Sequence, residues 1–382
     1  MTDAPSPPRK PAHTPDTKHL KKGWSTGACA AGAAAAAYRA HVTRAFKDTV
    51  TIRLPRGEAP TFTLATQDLN HVSARAGIIK DAGDDPDVTH GLEIVAEVHN
   101  AKPGTGVTFV AGEGVGTVTM NGLALAPGEP AINPGPRAYI TQALETVAQE
   151  LDTEADGPPD VELTISIPGG REVADQTMNA RLGIIGGLSV LGTTGVVVPY
   201  SCSSWIHAIQ RGVDVARAQG LQHLLGATGR TSEKAAGTEL NLPTQALIDM
   251  GDFAGGLLKY VRANPVERLT IAGGVGKITK LSQGHMDLHS ARSRVDFDKL
   301  ADTLLHAAGK DTIDAGTLLA ARSANTAAHV LELAGPHAPK LAGLIARQAR
   351  EVALATLSGG TEVAVWVYDR TGNRIGNSGS DA

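Results

Sequence analysis

Aromatic residues are scarce in this chain, at 3% of 382 positions, and cysteines scarcer still, with only Cys29 and Cys202. With so few rings the cores must be built from Ala, Val, Leu and Ile. The 44 glycines point to many close backbone approaches, so loops should carry much of the chemistry. Two cysteines far apart in sequence fit neither a disulfide framework nor a metal-ligand spacing, and they suit a reducing cytoplasm. An excess of charge is also missing. A formal net charge of -4 excludes a basic footprint for nucleic acid and a polybasic membrane surface, so an anionic ligand must be met by local cations. No run approaches the roughly 20 apolar residues that span a bilayer. What remains is a globular balance of 42% hydrophobic and 19% charged residues, long enough for two domains.

Residues 1–20 mix Pro, Thr and charge without apolar periodicity and read as a disordered tail. Lys21 and Lys22 before an Ala-rich stretch imitate a secretory leader, but Gly32 breaks the run and Ser25-Thr26-Gly27 reads as a helix start. The cap and the alanines predict a helix to about Ala40. Alternating segments at 49–54, 61–65, 92–98, 116–120 and 161–167 predict half-buried strands. Pro134 and Pro136 suit the first turn of a helix reaching about Leu151. Residues 21–178 are thus expected to form an α+β domain with a mixed or antiparallel sheet and helices on one face.

From 179 to 382 the rhythm becomes apolar strand, glycine-rich turn, helix. Strands are expected at 196–199, 221–226, 268–272 and 363–367. A helix carrying Ile206, Ile209, Val213 and Ala216 on one face falls between the first two, and further helices are expected at 325–334 and 338–356. This alternation predicts an α/β, Rossmann-like C-terminal domain with a mostly parallel sheet.

In an open α/β sheet, ligands bind beyond the carboxyl ends of the strands, where loops and helix N-termini present free N–H groups. Three segments suit such places: Gly192, Thr193, Thr194 and Gly195 leading to Ser201–Ser204; Gly226–Glu233, with Gly229, Arg230 and Thr231; and Gly273–Lys280, with Gly273, Gly274, Gly276 and Lys277. The last matches neither common phosphate-binding pattern. Thr279 stands where the final glycine of G-x-G-x-x-G belongs, and Ile271 and Ile278 break a Walker A loop. His285, Asp287 and His289 share one side only if extended, lack the H-E-x-x-H spacing, and read as a polar loop, so no protein-bound metal is expected. Arg230, Lys277, Lys280, Arg292 and Arg294 form the richest local group of cations and could pair with carboxylates. Asp252 and Glu233 are the carboxylates best placed for a cationic ligand, with an N-cap role for Asp252 equally open.

The segments at 23–32 (GWSTGACAAG), 131–137 (AINPGPR), 186–209, 227–233 (ATGRTSE), 250–260 (MGDFAGGLLKY) and 270–290 occur in the order of one family. Together they resemble the cobalt-precorrin-5B C1-methyltransferase (CbiD) family from about Lys21 to Asp296. Trp24-Ser25 and Ala28 depart from the phenylalanine-threonine and threonine expected in many relatives. The resemblance implies a cytoplasmic enzyme of cobalamin biosynthesis that moves a methyl group from S-adenosylmethionine to ring carbon C1 of an anionic, polycarboxylate tetrapyrrole.

It further implies a donor pocket among Gly192, Thr193, Thr194, Gly195, Gly229, Thr231, Asp252, Gly273, Gly274 and Gly276. Tetrapyrrole contacts would come from Ser25, Thr26, Arg230, Lys277, Lys280 and Arg292. Catalysis would rest on proximity, with His285 or His289 as any general base. Neither nucleic acid nor membrane is implied as a partner, and a homo-oligomer is left open. The competing readings are an enzyme using a phosphate-bearing cofactor in the same loops and a non-catalytic corrinoid-binding partner.

Overall fold

An alanine run behind a serine cap makes the central helix of the first half of the chain. In the computed structural model, which describes residues 19–151, 157–309 and 312–379, β1 (Gly23–Trp24) leads into α1 (Thr26–Thr43). The Ser25 hydroxyl accepts the Ala28 N–H at 3.1 Å, which satisfies one of the unpaired donors at the helix start. The expected tail lies outside the described residues except for His19 and Leu20. From Thr26 to Tyr38 every residue of α1 is buried, as befits a helix with no polar face.

Around it run β2 (Thr49–Thr51), β3 (Thr61–Thr63), β4 (Thr66–Leu69), β5 (Ser73–Ile79), β6 (Glu93–Asn100), β7 (Val107–Ala111), β8 (Thr117–Val118), α2 (Pro134–Glu150) and β9 (Val161–Ser166). Five of these strands form a sheet in the order β4-β5-β6-β9-β7, antiparallel except for β7 with β9. Methyl-sized side chains let α1 approach β5, β6 and α2 closely, and Ile78, Ile94, Ala96, Leu163 and Ile165 close the core. Each such aliphatic side chain contributes about 1.5–3 kcal/mol by leaving water.

After α3 (Gly170–Ala174) come β10 (Ile184–Ile185) and β11 (Val196–Val197). The segment at 196–199, expected to begin the parallel sheet, instead pairs antiparallel with β1, Val196 opposite Trp24. Likewise β10 pairs with β8, and Val190 bridges Ile132. The chain accordingly divides after Ser201, not after Met178. A glycine-rich apolar rhythm fits an edge pairing as well as a strand entering a helix, and here the edges of the first unit took it.

The second unit begins with α4 (Cys202–Ala218) and proceeds through β12 (His223–Ala227), α5 (Arg230–Glu239), β13 (Leu247–Asp249), α6 (Ala254–Ala263), β14 (Arg268–Gly274) and α7 (Val275–Ser282). It continues through α8 (Phe297–Ala308), α9 (Ala315–Arg322), α10 (Ala327–Leu333), α11 (Ala338–Leu357), β15 (Glu362–Tyr368) and β16 (Arg374–Asn377). Its sheet has the order β13-β12-β14-β15-β16, parallel apart from β16. Strand alternation sorts the side chains. Leu224, Leu269, Ile271, Val363, Val365 and Val367 join a core with Ile209, Val213, Leu257, Ile278 and Leu341 from the helices. Leu225, Ala272, Trp366 and Tyr368 point to the opposite face, where Ala236 of α5 meets them.

Candidate active site

In the second unit, β13 lies on one side of β12 and β14 on the other, so the winding reverses between β12 and β14. In open α/β sheets such a reversal marks the place, beyond the carboxyl ends of the two strands, where a ligand crevice forms, because the connections leave in opposite directions. Two glycine turns border it. Gly229 precedes α5, while Gly274 caps α7 and is followed by Val275 and Gly276. A Cβ built on Gly229, Gly274 or Gly276 would meet no atom within 4 Å, so packing does not require glycine at these positions. Gly273 differs: its Cβ would stand 2.6 Å from Thr228 Oγ1, which makes it a glycine of strand packing.

Three strand ends converge on one ammonium. Lys277 Nζ donates to the Thr228 carbonyl at 2.7 Å and pairs with Asp252 Oδ1 at 3.0 Å. Thr228 follows β12, Asp252 follows β13 and Lys277 stands in the first turn of α7 after β14. Asp252 is not a helix cap, since the N-cap position of α6 belongs to Phe253. Trp205 of α4 completes the turn after β13. Its Nε1 donates to the Asp249 carbonyl at 3.1 Å, and its ring lies 3.2 Å from where a Cβ on Gly251 would be. Gly251 also has φ +54, so that position favours glycine on backbone grounds too.

The 285–292 segment is an irregular loop stitched to this edge. Leu288 N–H donates to the Asp252 carbonyl, Gly255 N–H to the Met286 carbonyl, and Lys280 Nζ to the Leu288 carbonyl, all at 2.8 Å. Burial holds the Lys280 ammonium below its ordinary pKa; Lys277 pushes the same way, while Asp252 and Asp287 oppose. Asp287 spends its carboxylate on Arg292 at 2.8 Å and on the His289 N–H at 3.0 Å. Arg292 donates further to Cys202 Sγ at 3.3 Å. Among the described residues no cluster of His, Cys, Asp and Glu is suited to hold a metal ion. His289 Nδ1 accepts the Ala291 N–H at 3.2 Å, so that nitrogen is already engaged as an acceptor. The His285 ring has no partner among the described residues.

Arg230 and Thr231 are exposed at the start of α5. Beside them stands a feature that periodicity did not reveal, the hairpin between β15 and β16. A Cβ on Gly372 would lie 3.5 Å from Thr231 Cγ2, and Asp369 ties the turn together by accepting N–H bonds from Thr371 and Asn373. An aspartate followed by Thr, Gly and Asn is a turn signature, and it was the available signal.

The remaining expected site residues belong to the first unit. Gly192 has φ +114, and a Cβ there would strike Ser25 Oγ at 2.3 Å. Thr26 Oγ1 accepts the Leu191 N–H at 3.0 Å, the Tyr139 hydroxyl donates to the Gly192 carbonyl at 2.8 Å, and Ser25 N–H donates to the Gly195 carbonyl at 2.9 Å. Thr194 Oγ1 accepts the Val196 N–H at 3.3 Å, and Thr193 packs beside Gly135. Burial drives the Tyr139 hydroxyl well above its usual pKa, so it stays a donor. Ser25, Thr26 and the 192–195 loop therefore come together within the first unit.

Two family models match the chain, CbiD over residues 13–199 and CbiD, C-terminal domain, over residues 287–379. Proteins of Brucella canis and Brucella suis, each named cobalt-precorrin-5B C(1)-methyltransferase, are 54% identical over 374 residues. The alignment covers 98% of this chain and 99% of each of theirs. A crystal structure of the cobalamin biosynthesis protein CbiD from Archaeoglobus fulgidus is 25% identical with a TM-score of 0.37, covering 67% of this chain and 77% of that one. Identity of this level over nearly the full length of both chains establishes that the chain belongs to the CbiD family.

Proposed function

We propose that this chain is a methyltransferase of cobalamin biosynthesis that methylates C1 of cobalt-precorrin-5B. Its donor, S-adenosylmethionine, would sit at the carboxyl edge of a Rossmann-like second domain. The activity rests on near-full-length identity to relatives bearing that name. For the donor, the carrying observation is the reversal of winding between β12 and β14, beside three glycines whose Cβ positions stand in open space. When bound, S-adenosylmethionine supplies an electrophilic sulfonium methyl, and its departure as a neutral thioether asks no acid of the protein.

The chain's own contributions are binding and orientation, effects worth about 7–11 kcal/mol in favourable cases. Gly229, Gly274 and Gly276 admit the donor close to the backbone, the N-termini of α5 and α7 present N–H groups, and Asp252 offers a carboxylate to a cation. Arg230, exposed at the mouth, and Arg292, held by Asp287, meet tetrapyrrole carboxylates. His285 is the base for any ring proton, since its imidazole is not engaged by a described residue. A cytoplasmic location accords with two cysteines that are both free; separately, no described helix is long and apolar enough to cross a membrane.

The test is incubation of the purified chain with methyl-labelled S-adenosylmethionine and the tetrapyrrole. Label appearing at C1 of the macrocycle is the expected result. Tetrapyrrole binding with neither donor binding nor turnover would replace this reading with that of a corrinoid-binding partner.

Ser25 and Thr26 serve the framework of the first unit in this reading. Ser25→Ala is expected to cost about 1 kcal/mol in denaturant unfolding, as lost helix caps do, with kcat and KM of the folded protein unchanged. A raised KM for the tetrapyrrole would return that hydroxyl to the substrate.

A further inference from the structure

We infer that Lys277 is a positioning residue for the donor, acting through Asp252, and is not a contact for the tetrapyrrole. This inference rests on the donor site proposed above. An ammonium has three N–H donors. Here one is spent on the Thr228 carbonyl at 2.7 Å and another is directed at Asp252 Oδ1 at 3.0 Å. One flexible side chain thereby ties together the turns that leave β12, β13 and β14, the strands whose carboxyl ends border the crevice. The turn after β13 has two further anchors, Trp205 on the Asp249 carbonyl and Leu288 N–H on the Asp252 carbonyl, so the Asp252 backbone is fixed independently of Lys277. What Lys277 sets is the direction and charge balance of the Asp252 carboxylate.

A sulfonium or ribose group entering the crevice meets a carboxylate already oriented, so little rotamer freedom remains to be lost on binding. The neighbouring cation cannot take over this role. Lys280 Nζ is committed to the Leu288 carbonyl on the loop that follows α7. With two of its three donors held by protein acceptors and its charge paired with Asp252, Lys277 has less to offer an external carboxylate than an unpaired cation would.

The experiment is calorimetric titration of the full chain with S-adenosylhomocysteine, together with steady-state kinetics at varied tetrapyrrole. The proteins compared are the unaltered chain, Lys277→Met, Lys277→Arg, Asp252→Asn and the Lys277→Met/Asp252→Asn double variant. Lys277→Met should weaken S-adenosylhomocysteine by about tenfold, the scale of coupling between residues in direct contact. Its KM for the tetrapyrrole should stay unmoved, and Lys277→Arg should recover most of the affinity. In the Asp252→Asn background, adding Lys277→Met should change affinity by less than about threefold, because the group through which lysine acts is gone.

Independent, additive losses overturn the inference, as does a raised tetrapyrrole KM with donor affinity intact. A lowered melting temperature with unchanged S-adenosylhomocysteine affinity also overturns it, by reducing Lys277 to a scaffold. No binding by the unaltered chain overturns the donor site itself, a distinct result read from the first titration.

Discussion

Valine at position 274 is expected to leave the fold intact and to remove saturable binding of S-adenosylhomocysteine. The backbone at Gly274 has φ -69 and ψ 152, an extended conformation that a β-branched residue adopts readily, and its Cβ would meet nothing within 4 Å. The protein therefore has no steric objection to the new side chain. Only the weaker N-cap preference of valine counts against it, at up to about 1 kcal/mol, or about 2–4 °C in melting temperature for a domain of this size. A ligand lying on that backbone has no such freedom. Displacing it by even part of a methyl group from a close-packed contact should weaken binding by about 100-fold or more. Calorimetric titration of Gly274→Val beside the unaltered chain makes the comparison. Retained affinity in a folded variant would sink the assignment of this crevice to the donor.

Gly273→Val is the instructive contrast, since there a Cβ would press within 2.6 Å of Thr228 Oγ1 and 2.9 Å of Ile278 Cδ1. Of two adjacent glycines in one motif, one is thus required by packing and the other is not. The sequence shows both as glycine, and only the neighbours in space separate them.

The same distinction governs what could be read in advance. Helix α1 was legible because the Ser25 cap and the alanine run are local signals, and local physics decides them. The parallel strands β12, β14 and β15 were legible as apolar runs between glycine turns, although β13, three residues long, was not. The 196–199 segment misled because its partner, β1, lies far away in sequence, and pairing belongs to tertiary structure. At the candidate site, Lys277 and Arg292 were legible as members of a group of cations, Asp252 as a carboxylate for a cationic ligand and Asp287 as part of the HMDLH segment. That Lys277 and Asp252 bind each other follows from where β13 and β14 end, whereas Asp287 and Arg292 meet within one loop. So too the HMDLH segment resembled a ligand set, yet Asp287 is taken by Arg292 and the His289 N–H.

Asparagine in place of Asp87 should be among the most destabilising single changes in the first unit. Lys80 is 1% exposed, and its ammonium reaches Asp87 Oδ2 at 2.6 Å. The same carboxylate accepts the Thr89 N–H at 2.8 Å and the Thr89 hydroxyl at 2.6 Å. Removing one partner of such a pair strands a buried charge, at a cost of about 3–5 kcal/mol. Lys80→Met in the Asp87→Asn background removes that charge and should recover most of the loss, which a merely misshapen site would not allow.

Acid supplies an independent check. Burial pushes the Asp87 carboxyl upward, but the Lys80 charge and the bonds from Lys80 and Thr89 outweigh it and hold its pKa below the usual carboxylate value. A carboxylate depressed on folding adds stability that is complete above the unfolded-state pKa, about 3.9, and that is lost as pH falls through it toward the folded value. The gap in unfolding free energy between the unaltered chain and Asp87→Asn should thus be full at neutral pH and close below about pH 4. Denaturant midpoints measured across that range decide the matter, and a gap that stays constant into acid would mean the ion pair is not what stabilises this corner of the fold.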